Sequence, residues 1–322
     1  MKRVITWLLC LLLFLTSCEV AGKQGELKKV GLLVPETIID QNWGTKSYKG
    51  LLQIQSEYGV DVFYKEGMDS QLVVERAVEE FKQKGVNLIF GHGFEYAQYF
   101  STISLNYPEI HFIVFNGDAK NDNITSLNFE GYAMGFFAGM VAAHTTETNR
   151  IGVIPAYEWQ PEVQGFYDGA KFENRFVHVE IQYVNDFDDV EKALQIFESM
   201  KAQGIDVLYP AGDTYNVPII EKIKENGLYA IGYISDQSDL GKYTILTSTV
   251  QHIGTLYSWV AERLNEGKLE SGNLFFDFQD DAISLGTFSS LVDEAYVNKI
   301  NGYIEEYKET GKLPNQSLNK ES

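Results

Sequence analysis

The chain has 322 residues, 45 of them acidic against 26 basic, for a formal net charge of −19. A phosphate backbone is held by clustered Lys and Arg, so this balance argues against direct binding of nucleic acid, and it repels an anionic membrane surface. A chain of this length can bury a large core and is expected to divide into two lobes.

Lys2 and Arg3 precede an apolar run from Ile5 to Leu15, and Leu15-Thr16-Ser17-Cys18 ends the run with small residues before a cysteine. This is signal-peptide architecture. The run is shorter than the roughly 20 residues of a permanent membrane helix, and small residues ahead of a cysteine resemble the lipobox of bacterial lipoproteins. Residues 1–17 are therefore expected to be a signal peptide, Cys18 a lipidation site, and 18–28 a linker holding the domain to the outer side of the cell membrane. Even as an uncleaved anchor, the basic start orients the domain the same way. Cleavage would remove Cys10 and leave one cysteine, which rules out an intramolecular disulfide, a redox pair or a thiolate metal site.

From Lys29 onward apolar runs alternate with amphipathic stretches. Val30–Val34, Val60–Tyr64, Val86–Phe90 and His111–Phe115 read as strands, with helices running to Tyr58 and to Lys84. After Glu130 the alternation restarts, with strands expected at Arg150–Ile154, His178–Val184, Ile205–Tyr209 and Tyr229–Ile234. Val74, Ala77, Val78 and Phe81 fall at i, i+3, i+4 and i+7, as do Val190, Ala193, Leu194 and Phe197, so both stripes are expected in the core. Strand and helix in this order imply an α/β protein with parallel sheets covered on both faces. The expected lobes are 29–127 plus 251–279 and 128–250 plus 283–312, joined by crossover strands and followed by a polar tail, 313–322.

In parallel sheets of this kind ligands bind beyond the carboxyl ends of the strands. After the first strand come Asp40, Gln41, Asn42 and Trp43, where Asp40 or Asn42 can cap the next helix and Trp43 offers a flat face. After the third come Gly91-His92-Gly93-Phe94; position 96 is Tyr96, so a dinucleotide fingerprint fails there. In the second half Pro210-Ala211-Gly212-Asp213 and Ser235-Asp236-Gln237 follow strands in the same way, and Asp213 or Asp236 could accept hydrogen bonds from ligand hydroxyls. An aspartate there equally serves a turn or cap. The histidines show no H-x-x-x-H spacing, and neither a G-x-S-x-G elbow nor a P-loop occurs, so no enzyme, metal or cofactor is expected.

Four stretches, Asp40 to Gly50, Gly131 to Ala143, Tyr209 to Pro218 and Tyr229 to Gln237, together with the lipobox, resemble the Bmp family of lipoproteins, the nucleoside-binding proteins of ATP-driven importers. The resemblance spans nearly the whole mature chain. It implies a type I periplasmic-binding-protein fold, two Rossmann-like lobes closing on one small ligand, with an ABC permease as partner. The family stacks the base between two aromatics, matched by Trp43 and Phe187, and holds the sugar with acids and backbone amides, for which Glu130, Gly212 and Asp236 are the nearest matches. Gly44, Val34, Ile234 and Gln251 stand where the family carries polar contacts. A bacillar branch of the family, the one this chain resembles most, comprises positive regulators of competence. For such a chain a membrane signalling partner replaces the permease, and transcriptional control is indirect, since an exported acidic domain cannot reach DNA.

Overall fold

The computed structural model describes residues 25–39 and 43–317. The signal segment, Cys18 and Asp40 lie outside the described residues. In chain order the elements of the first half are β1 (Lys29–Leu33), α1 (Trp43–Tyr58), β2 (Asp61–Lys65), α2 (Gln71–Gln83), β3 (Leu88–Gly91), α3 (Tyr96–Ile103), β4 (His111–Phe115), β5 (Ile124–Phe129) and α4 (Gly131–Thr145). Then come β6 (Arg150–Pro155), α5 (Pro161–Glu173), β7 (His178–Ile181), α6 (Val190–Ala202), β8 (Val207–Ala211), α7 (Asn216–Glu225), β9 (Tyr229–Gly232), β10 (Ile245–Gln251), α8 (Ile253–Asn265), β11 (Gly272–Phe276), β12 (Ile283–Leu285) and α9 (Glu294–Thr310). No helix among the described residues is long and apolar enough to cross a membrane.

The strands form two six-stranded sheets, ordered β2-β1-β3-β4-β5-β11 and β7-β6-β8-β9-β10-β12. All pairs are parallel except β10 with β12. The chain passes to the second sheet after β5, returns for β11, and leaves again for β12. This is the α/β, type I periplasmic-binding architecture, with alternating helices covering mainly parallel strands.

Several strand ends differ from the sequence reading, among them Ile205 and Ile234, which lie outside the strands they were expected to bound, and those at Val86 and Val184. Val86 was expected to open the third strand, but its amide donates to Phe81 O at 3.0 Å and closes the end of α2, so pairing begins at Leu88. The seventh strand stops at Ile181 and not at Val184. The stripe Val74, Ala77, Val78 and Phe81 is buried as its spacing predicts, under the outer face of the first sheet. In α6, Ala193 and Phe197 are buried while Val190 and Leu194 pack partly buried against the same core.

The helix α4 is apolar on every side and almost wholly buried, as expected of a helix covered all round. It packs on α5 through backbone. A Cβ at Gly135 would stand 2.0 Å from Glu162 O and one at Gly139 2.1 Å from Phe166 O; across the contact, Gly165 faces Tyr132 O at 2.0 Å and Gly169 faces Phe136 O at 1.9 Å. Only glycine permits this approach. Replacing Gly169 by alanine is expected to lower the unfolding free energy by at least about 1–3 kcal/mol, the usual cost of overpacking, read from the urea midpoint at unchanged slope. Gly302→Ala on exposed α9, where an added Cβ meets nothing within 4 Å, is the control and should be neutral or slightly stabilising.

Candidate functional site

In the first sheet β1 lies between β2 and β3, so the chain leaves β1 and β3 toward opposite faces and a crevice opens at their carboxyl ends; β6, between β7 and β8, repeats this in the second sheet. The two crevices face one another around a cavity of about 500 Å³. Its first wall comes from the loops after β1 (Glu36, Thr37, leading to Trp43) and after β3 (His92, Phe94, Glu95). Its second wall comes from the loops after β6 (Trp159, Gln160, Glu162), β7 (Phe187, Asp188) and β8 (Asp213, Thr214). Tyr233, Ile234 and Gln251 close it near the point where β10 hands the chain back to the first sheet.

The first wall is built on His92. Its ring stacks under Trp43 with centroids 4.3 Å apart, Phe115 meets both rings edge-on, and the imidazole is fully buried. With Nε2 protonated it donates to Trp43 O at 3.1 Å, while Nδ1 accepts from the Tyr257 hydroxyl at 3.2 Å. Only the neutral ring can donate at one nitrogen and accept at the other. Burial pushes its pKa down to about 3, assisted by the Lys46 charge and opposed by the bond to Trp43.

The second wall rests on Gln160 and Glu162 at the start of α5, where Pro161 opens the helix. The Gln160 amide donates to Glu162 Oε1 at 3.0 Å, Ala211 O at 3.0 Å and Tyr233 Oη at 3.2 Å. Burial raises the pKa of Glu162 and favours its neutral form, against the hydrogen bonds it accepts. Asp188 accepts from Thr214 Oγ1, which ties the β7 loop to the β8 loop.

Lys46 links the two halves. From α1 its ammonium donates to Ile234 O at 2.5 Å and Gln251 O at 2.9 Å. Burial lowers its pKa to about 8, with Lys49 adding to the effect and Asp213 opposing it. Ile234 has φ of 61°, a strained left-handed conformation for a β-branched residue. Its carbonyl accepts from both Lys46 and the Gln251 amide, the latter at 2.9 Å.

Trp43, Phe94, Phe187 and Asp213 thus meet in one cavity, with Val34, Gly44, Ile234 and Gln251 in the same lining. Gly212 stands beside Asp213; its carbonyl accepts from Asn216 Nδ2 at 2.7 Å, and a Cβ there would fall 1.9 Å from the Tyr215 ring. Two other candidates are placed elsewhere. Glu130 is exposed and opens on a second, smaller hollow with Tyr132, Phe275 and Tyr307. The Asp236 carboxylate accepts from Thr287 N at 3.0 Å, Thr287 Oγ1 at 2.6 Å and Ser238 N at 3.1 Å, which staples the loop after β9 to the segment after β12. Sequence reasoning passed over Trp159, Gln160 and Glu162, although they follow a strand just as Trp43 does. It also passed over Lys46, which carries no signal beyond its place in the first turn of α1. Phe94 and Trp159 touch across the mouth, ring centroids 5.6 Å apart.

The Bmp family, described as ABC transporter substrate-binding protein PnrA-like, matches residues 27–317. The chain is 50% identical over 303 residues to the transcriptional activator protein med of Bacillus subtilis (strain 168), covering 94% of this chain and 96% of that protein. It is 28% identical over 229 residues to the ABC transporter nucleoside-binding protein BmpA of Lactococcus lactis subsp. cremoris (strain MG1363), covering 64% and 65%. The crystal structure of a transcriptional activator of the comK gene from Bacillus halodurans superposes with a TM-score of 0.84 at 53% identity, covering 89% of this chain and 99% of that one.

His92 makes the fold acid-sensitive. Unfolded, it takes up a proton near its ordinary pKa of 6.5, while folded it resists until about 3. Between those values the unfolded state binds more protons, so stability falls as pH falls, by up to about 1.4 kcal/mol per pH unit. In a series of thermal midpoints between about pH 6 and pH 4, His92→Gln is expected to show a shallower decline than the parent chain.

Proposed function

Because the chain belongs to the Bmp family of PnrA-like substrate-binding proteins of ABC transporters, we propose that it is an extracytoplasmic lipoprotein that holds a nucleoside-like small ligand between its two sheets. The observation carrying this reading is the pair of facing crevices, which bring aromatic faces from opposite halves of the chain, Trp43 and Phe187, to one cavity. Stacking of a base on such faces contributes about 1–3 kcal/mol and tolerates many bases. Asn116, Asn128, Asp188 and Asp213 add hydrogen-bonding groups in the same lining. Cys18 carries the lipid that keeps the domain at the membrane, where an ABC permease receives the ligand.

A second reading, regulation, is favoured by the 50% identity to a protein named as a transcriptional activator, against 28% to one named as nucleoside-binding. In this reading the cavity senses its ligand and the signal crosses the membrane through a partner protein. The net charge of −19 speaks for an indirect route to transcription.

Calorimetry and thermal-shift titration of the chain from Glu19 onward test the nucleoside ligand that the first reading requires. A bound nucleoside at 100 times its dissociation constant should add about 2.7 kcal/mol of stability, and Trp43→Ala should weaken binding roughly 5- to 150-fold. A folded sample that responds to no nucleoside would remove the nucleoside reading and leave the regulatory one. In cell fractionation, Cys18→Ala is expected to move the protein out of the membrane fraction, and unchanged membrane retention would remove the lipid anchor.

A further inference from the structure

Carboxyl groups line the cavity. Glu36, Glu95, Glu162, Asp188 and Asp213 reach its wall, and among the described residues no lysine or arginine lines it. His92 is held neutral, with both ring nitrogens engaged. The ammonium of Lys46 is committed to the Ile234 and Gln251 carbonyls. Burial raises the pKa of Glu95, as expected for a carboxyl withdrawn from water without a counter-charge.

Gln251 supplies an independent sign of what is missing. Its side chain lines the cavity at 7% exposure, and its Oε1 is buried without a hydrogen-bond partner. A buried acceptor left unpaired is costly, and a rotation of the side chain that turns it toward a ligand donor removes that cost. Four aromatic side chains share the wall with these groups: Trp43, Phe94, Trp159 and Phe187. Ring faces attract cations, most strongly where water is excluded.

We propose that the cavity selects a flat organic cation bearing an N–H or O–H donor and rejects phosphorylated ligands. Within the nucleoside reading, on which this rests, the preferred ligand is a nucleoside with a positively charged, N-methylated base over its neutral parent. The positive charge sits among the aromatic faces and offsets the carboxylates, and the donor satisfies Gln251. A phosphate finds no cation in the wall and meets like charge.

The test uses two shape-matched pairs on the chain from Cys18 onward, with that cysteine replaced by alanine, at pH 7: adenosine with 1-methyladenosine, and benzamide with benzamidine. Adenosine monophosphate is the anionic probe. The cation of a pair should bind about tenfold tighter or more than its neutral partner, and adenosine monophosphate more weakly than adenosine. Glu95→Gln, checked for an unchanged thermal midpoint, should lower the ratio of cation affinity to neutral affinity within a pair. Benzamidine preferred over benzamide, with neither nucleoside bound, would retain the cation selectivity while removing the nucleoside reading. The proposal is overturned if the neutral member of a binding pair matches or exceeds the cation, if the monophosphate binds as well as adenosine, or if no cation binds a folded sample at millimolar concentration.

Discussion

The contact between α4 and α5 is made by backbone, and the position of the second wall of the cavity follows from it. Each of Gly135, Gly139, Gly165 and Gly169 would place a Cβ within 2.1 Å of a carbonyl oxygen of the opposing helix, so any side chain at these positions would push the helices apart. The residue whose carbonyl sits over Gly135 is Glu162, which also lines the cavity. The same α4 rests on β10 and β12 and accepts the Tyr296 hydroxyl of α9 at Met140 O, 3.0 Å away. One apolar helix therefore sets the seat of α5, and α5 carries Gln160 and Glu162 to the wall.

Against that seat three polar side chains at the cavity are restrained by protein partners. His92 is neutral between a carbonyl and a phenol, Gln160 spreads its amide over three acceptors, and Lys46 serves two carbonyls. In a low-dielectric interior each bond is strong, and a missing one is expensive. That restraint keeps the aromatic faces in place: Trp43 cannot tilt without leaving His92, and the strained turn at Ile234 persists because Lys46 and the Gln251 amide hold its carbonyl. Val34, Gly44, Ile234 and Gln251, which the resemblance in sequence set against polar positions of the family, all lie in this lining.

The elements themselves were legible because their signals are local. The stripe in α2 and the apolar runs of β1, β4, β6 and β8 are patterns within a dozen residues, and the structure places them in the core. Boundaries failed where a neighbouring element competed, as when Val86 capped α2 in place of pairing. Asp236 illustrates a different limit. An acid after a strand can bind a ligand or brace a loop, and only the arrival of Thr287 from a segment 51 residues away chose the brace.

The amino-acid sequence by itself determined the acidic balance, the alternation of strand and helix, the family, and the rule that ligands meet the loops after strands. Composition and periodicity are properties of short stretches and need no knowledge of what lies opposite. The tertiary structure alone decided which loops share a cavity and which side chains spend their hydrogen bonds on the protein. Trp43, Trp159, Phe187 and Gln251 are far apart in the chain, and no local pattern couples them. They meet because strand order opens a crevice in each sheet, the crossings turn the crevices face to face, and the glycine contact fixes the seat of α5.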